Sequence, residues 1–192
     1  MRIFSLIVTL LMLSLGSPMA RGQAVINQEL GTYVSEPGES LDAFILRTAP
    51  VLDAFTAKKE WEACAAIAKS HEGDRFGFVL TTSQAMLGCL VYTDMLPEGM
   101  VFSGMNFHSH PGTPDIYPTY MDQQLLNMRG LRGQVRAGDR NAGRRGFSKD
   151  DFEAGPGYLV AGGRVFYQAG LKTVREVGKL SEPARNRSFP RR

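Results

Sequence analysis

The 192-residue chain is 43% apolar and 21% charged, which fits one globular domain with its own core and excludes a disordered, collagenous or wholly membrane-embedded protein. Its net charge of +3 hides two unlike halves: residues 25–128 hold 5 basic and 13 acidic residues, and residues 129–192 hold 15 basic and 6 acidic ones. The basic half either complements the acidic half within the fold or meets an anionic partner such as a membrane surface or cell-wall polymer, and nucleic acid is not indicated, because no aromatic residues interleave the arginines and no recognition motif is present.

Residues 1–24 read as an export signal. Arg2 is the positive start, Ile3 to Leu15 is an apolar run too short to span a bilayer, and Gly22-Gln23-Ala24 is a small-x-small cleavage site. The alternative is a retained N-terminal anchor. No cysteine stands near the cleavage point to take a lipid. The mature chain, from about Val25, has no further run of spanning length. The expectation is a protein exported to the periplasm or secreted, with no stable membrane span.

Residues 25–60 form a lead-in and a helix. Val25 to Ser40 is polar, contains Pro37-Gly38 and reads as loop. Ser40 suits an N-cap, and Leu41, Phe44, Ile45, Val51, Leu52 and Phe55 recur near helical spacing, with Pro50 expected to interrupt or kink the segment. Residues 61–180 form the main domain. Glu62 to Lys69 suits either helix or strand. Arg75 to Thr82, Met86 to Tyr92 and Met100 to Phe107 read as strands, the last two separated by a Pro97-Glu98-Gly99 turn. Trp61 reads as a core anchor and His71 as a solvent-facing turn residue.

An inserted stretch follows over about 112–146. It holds a proline-rich loop from Thr113 to Pro118, a short helix from Tyr120 to Met128, and an Arg/Gly-rich segment from Arg129 to Gly146, expected to be flexible and solvated. Ser148 to Ala154 opens as a helix with Ser148 as N-cap. Tyr158 to Ala161, Gly162-Gly163 and Arg164 to Tyr167 spell a hairpin, and Val174 to Val177 suits a last strand. Residues 181–192 are a basic tail.

Two cysteines, Cys64 and Cys89, lie in apolar contexts that raise a thiol pKa, so neither reads as a nucleophile. In an oxidising compartment they suit a disulfide; otherwise they are two small buried hydrophobes.

The chemistry concentrates at His108-Ser109-His110-Pro111. Residues i and i+2 of a strand project to one side, so two imidazoles can converge on one metal, and Pro111 ends the strand beside them. A chance His-x-His on an exposed strand is the bland alternative.

Together with Ser148-Lys149-Asp150-Asp151, this element resembles the JAMM pattern of JAB/MPN metallopeptidases: a glutamate, then His-Ser/Thr-His-Pro, then Ser-x-x-Asp. The surrounding residues resemble a bacterial secreted or toxin-associated branch of that family. The resemblance covers roughly Trp61 to Tyr167. It implies an α+β domain with a central mixed sheet flanked by helices, related to the cytidine deaminase-like fold, although the deaminase His-x-Glu and Cys-x-x-Cys signature is absent. It also implies Zn2+ held by His108, His110 and Asp151. The spacing departs from the family's: 36 residues separate Pro111 from Ser148, and Thr119-Tyr120-Met121-Asp122 sits at the usual distance, so Asp122 is an alternative third ligand.

The family's glutamate maps onto Glu62, with Glu60 and Glu72 as rivals. By the same resemblance Glu62 is the general base and Ser148 the hydrogen-bond donor to a developing oxyanion. Two histidines and a carboxylate leave one tetrahedral position for water, as catalytic zinc sites do. The expected activity is hydrolysis of a peptide, isopeptide or related amide bond in a peptide, a protein or a cell-wall peptide. The alternative is an inactive binding or toxin-associated module of the same fold.

Overall fold

In the computed structural model the described residues are 27–171 and 173–180. The stretch 1–24 read as an export signal and the basic tail 181–192 lie outside them. The strands are β1 (Gln28–Val34), β2 (Cys64–Ser70), β3 (Phe76–Thr82), β4 (Met100–Ser109), β5 (Gly157–Ala161), β6 (Arg164–Gln168) and β7 (Arg175–Lys179). They form one mixed sheet in the order β1-β3-β2-β4-β5-β6-β7. Every neighbouring pair is antiparallel except β4 and β5.

One long helix, α1 (Leu41–Lys59), covers one face. Ser40 caps it by accepting from the Ala43 amide, and Glu60 ends it in the left-handed conformation. Pro50, expected to interrupt or kink the segment, does not interrupt it: the helix runs through. The proline removes one backbone hydrogen bond, but Phe44, Ile45, Ala49 and Leu52 on either side are fully buried and hold both halves to the sheet. Alternate residues of the strands meet this helix: Ala63, Ala65 and Ile67, Phe78 and Leu80, Phe107, Tyr158 and Val160, and Val165. Phe78 sits at the centre, with the Phe44 and Phe107 rings 5.3 and 5.5 Å away. By the period-two rule, Cys64, His108 and Leu159 point to the opposite face.

Two expectations for this region need correcting. Residues 28–34 were expected to be loop but form β1. It is an edge strand, half exposed and bulged between Glu29 and Gly31, so it lacks the apolar alternation of a covered strand. Met86 to Tyr92 was expected to be a strand but is an irregular wall with no ladder. The amides of Met86 and Leu87 go to the Asp122 carboxylate, and that of Leu90 goes to Ser83 Oγ. The stretch read as helix or strand becomes β2. Trp61, expected in the core, is half-buried under the Lys59 ammonium, 5.5 Å from its ring. His71 is exposed in a turn.

A parallel pair cannot be closed by a hairpin, so the chain from β4 to β5 must cross over, and that crossover takes in the stretch 112–146 read as an insertion together with the helix read after it. It holds α2 (Tyr120–Met128), a 3-10 turn (Ala142–Arg145) and α3 (Lys149–Glu153). Its Arg/Gly-rich part is largely exposed, yet it is tied back rather than free. Ile116 and Asp139, Gly138 and Ile116, and Asn141 and Pro114 are joined by backbone hydrogen bonds. Among the described residues no helix is long and apolar enough to cross a membrane.

Candidate metal centre

β4 delivers His108 and His110 to its C-terminal end. Because they are two residues apart on an extended strand, their rings lie on one side with centroids 5.0 Å apart. Ser109 between them points the other way. Its hydroxyl shares a 2.6 Å hydrogen bond with that of Thr56 on α1 and accepts from the Ala63 amide, which fixes the strand end from behind.

Each ring is oriented by its Nδ1. His110 Nδ1 lies 2.8 Å from the Gly143 carbonyl oxygen. A carbonyl can only accept, so Nδ1 carries the proton and, in the neutral ring, Nε2 carries the lone pair. His108 Nδ1 lies 3.2 Å from Asn106 Oδ1, and the Asn106 amide nitrogen donates to the Pro156 carbonyl, which turns its oxygen toward the ring. Both Nε2 atoms therefore face inward. This is the outer-shell arrangement that sets the tautomer of metal-binding histidines.

The third member arrives from the crossover. Asp151 Oδ1 lies 3.2 Å from His108 Nε2, and Asp151 Oδ2 lies 3.4 Å from His110 Nε2. The carboxylate is held by the Ser148 amide and hydroxyl at 2.6 and 2.8 Å. The sequence had suggested that Ser148 caps α3, and the same hydroxyl does so by accepting from the Asp151 amide. Ligand atoms of His108, His110 and Asp151 all fall within 4.8 Å of one another, so this largely buried group can hold a metal ion. One observation speaks directly for a cation: His108 Nε2 is buried and has no hydrogen bond of acceptable geometry, the Asp151 contact included. A lone pair left so inside a protein is costly unless something electrophilic meets it.

Glu62, just before β2, is buried at the edge of the group with Oε1 3.7 Å from His110 Nε2. Burial pushes its carboxyl up to about 8, with Asp151 and Asp122 adding and His110 opposing. Burial pulls His110 down, but the Glu62 and Asp151 carboxylates outweigh it and raise the ring to about 9. Burial lowers His108. Asp151 is desolvated too, yet the His108 and His110 imidazoles against its oxygens hold it well below the usual carboxylate range.

Asp122 is placed differently. It is wholly buried, and its oxygens accept the amides of Met86, Leu87 and Thr119 at 2.7 to 3.1 Å. Thr119 Oγ1 caps α2 and donates to the Gln84 carbonyl. Both side chains are committed to the wall of residues 83–92. Of the rivals to Glu62, Glu60 ends α1 and Glu72 lies in the turn between β2 and β3; both are exposed. Cys64 and Cys89 are joined in a disulfide with Cα atoms 6.0 Å apart, so neither is a free nucleophile.

Sequence reasoning missed Asn106 and Gly143. Asn106 had a signal, since it shares the face of His108 two residues earlier. Gly143 acts through its carbonyl and had none.

A cleft of about 580 Å3 opens onto the group. The fold and the cluster together define an α+β protein with a seven-stranded mixed sheet and, at the end of its parallel strand pair, a His-His-Asp group that can hold a metal ion. No protein-family model matches the chain, and neither a curated protein nor a solved structure matches it.

Proposed function

We propose that the chain is an exported zinc-dependent hydrolase that cleaves a peptide, isopeptide or related amide bond, in the manner of the JAB/MPN metallopeptidases its motif resembles. The observation that carries this reading is the convergence of two oriented Nε2 atoms and one anchored carboxylate, with a buried carboxyl beside them and a cleft in front. Two imidazoles and one carboxylate suit zinc, and three protein ligands are a catalytic rather than a closed structural set. Bound by His108, His110 and Asp151, zinc supplies Lewis acidity and an activated water at neutral pH.

The chain's own residues do the rest. Glu62 receives the proton of the attacking water at its carboxylate and delivers it to the leaving nitrogen. Its apolar burial favours proton uptake and so suits a base that must hold a proton between two steps. Gly143 and Asn106 keep the two imidazoles aimed. Ser148 holds Asp151, and for the oxyanion role its hydroxyl swings from Asp151 Oδ2 to the substrate oxygen. The Cys64–Cys89 disulfide supports an oxidising compartment, in keeping with export to the periplasm or medium.

The test is hydrolysis of a peptide panel, cell-wall peptides included, by purified protein of known zinc content. The expected result is turnover that is lost in His108→Ala together with zinc, and lost in Glu62→Ala with zinc retained. A wild-type protein that holds zinc but cleaves nothing sinks the enzyme reading and leaves a binding module.

A further inference from the structure

The cleft in front of the metal group has a second wall that the chemistry above does not use. Leu87 and Val91 of the irregular segment, Leu126 of α2 and Ile116 of the crossover all line it. None belongs to either apolar cluster of the fold, and Leu87, Val91 and Leu126 are only half-buried. Ala85, Met121 and Leu125 form a small buried cluster joined by Leu90, and Leu90 and Leu125 extend the same aliphatic lining of the cleft. Half-buried aliphatic side chains along a cleft that is continuous with a reactive site are the usual lining of a substrate pocket.

The charges around the mouth decide what that pocket selects. Arg129 is paired with Asp150 and Arg140 with Asp115, each at 2.7 Å, and Glu153 is paired with Lys149 at 3.3 Å. A charged substrate side chain entering over the wall would lose hydration, with the charges at the mouth already paired and Asp122 and Asp151 deeper in the cleft taken up by backbone amides and by the imidazoles. An apolar one would cover the bare aliphatic surface.

Building on the hydrolase reading, we propose that this wall reads a bulky apolar residue next to the scissile amide, so that the substrates are peptides carrying a leucine-like or larger apolar side chain at that position. Leu87, Val91 and Leu126 are then specificity-determining residues. Each methylene that an apolar pocket reads is worth roughly 10- to 200-fold in kcat/KM, so a leucine-like side chain is favoured over a small one by at least about tenfold.

Two measurements test it together. Zinc-loaded wild-type protein is given a library of blocked peptides of equal length, with cleavage positions read by mass spectrometry. Zinc-loaded Glu62→Gln protein is titrated by calorimetry with leucine- and aspartate-containing members of the same library. Cleavage concentrated beside apolar residues, weakened at least about tenfold for leucine and shifted toward lysine or arginine in Leu126→Glu, is the expected result. Leu87→Glu, on the other side of the wall, gives the same shift should the helix variant not fold. Cleavage without side-chain preference, or beside charged residues, overturns this inference and leaves the hydrolase reading standing. Tighter binding of leucine peptides by Glu62→Gln with no cleavage by wild type supports the pocket and overturns the hydrolase. Neither cleavage nor selective binding overturns both.

Discussion

Cys64 and His108 stand opposite each other across β2 and β4, so the disulfide and a candidate metal ligand share one rung of the sheet. From that rung the Cys64–Cys89 bond reaches up to the ladderless wall of residues 83–92. The covalent link spans 25 residues of sequence, which corresponds to about 3 kcal/mol of loop-closure stabilisation. Reduction, or Cys89→Ser, is expected to lower the melting temperature by roughly 10 °C. The metal ligands lie on β4 and α3 and keep their own supports, so zinc stoichiometry is expected to hold while KM rises. Calorimetric melting and metal analysis on oxidised and reduced protein check this, and loss of zinc on reduction alone contradicts it.

Asp151 and Asp122 make the sharpest contrast in the molecule, and mutation separates them. Asp151→Asn is expected to lose zinc with little change in fold, because its backbone cap can be kept by the amide oxygen. Asp122→Ala is expected to keep the zinc ligands but to leave the buried amide of Met86 and the part-buried amides of Leu87 and Thr119 without an acceptor. At roughly 1–3 kcal/mol for each buried unsatisfied group, partly relieved by water, the cost is about 3 kcal/mol or more. Urea unfolding and zinc analysis on both variants give the answer; zinc lost in Asp122→Ala and kept in Asp151→Asn reverses the assignment.

These two aspartates also show where the sequence stops being legible. Each sits at the third position of a capping box, Thr119 with Asp122 and Ser148 with Asp151. Their local chemistry is therefore alike, and only the path of the crossover puts one against the histidines and the other against the wall. Features set by neighbours in sequence were readable: the Ser40 and Ser148 caps, the bounds of α2, the Gly162-Gly163 hairpin and the same-side pair of histidines. Features set by distant partners were not. Residues 28–34 are a strand only because β3 offers an edge, and residues 86–92 have a strand's composition but give their amides to Asp122.

Asn106 is expected to matter to the metal without touching it. Asn106→Ala frees the His108 ring to turn, and loss of such an outer partner typically lowers metal affinity about 10- to 100-fold. Gly157 gives a second handle on the same residue. A Cβ there would collide with Asn106 Oδ1 and its carboxamide carbon, so Gly157→Ala should reproduce the defect without removing the asparagine. Competition titrations with a zinc indicator measure both, and unchanged affinity in the pair would show that His108 is held by other means.

Metal uptake should also depend on pH in a direction fixed by His110. In the metal-free protein its pKa lies at about 9, above the ordinary imidazole value, because the Glu62 and Asp151 carboxylates outweigh burial. At neutral pH the ring is then protonated, and zinc must displace that proton to reach Nε2. Affinity is expected to rise at least about tenfold per pH unit up to about pH 9 and to level off above it, with at least one proton released per ion, because Glu62, pushed up to about 8, is also protonated at neutral pH. Glu62→Gln removes one of the two raising charges, so the levelling point moves to lower pH and neutral-pH affinity increases even as turnover is lost. Calorimetry in buffers of different ionisation enthalpy counts the proton directly. A pH-independent affinity between pH 7 and 9, or an unmoved profile in Glu62→Gln, contradicts the coupling between the histidine and the buried glutamate.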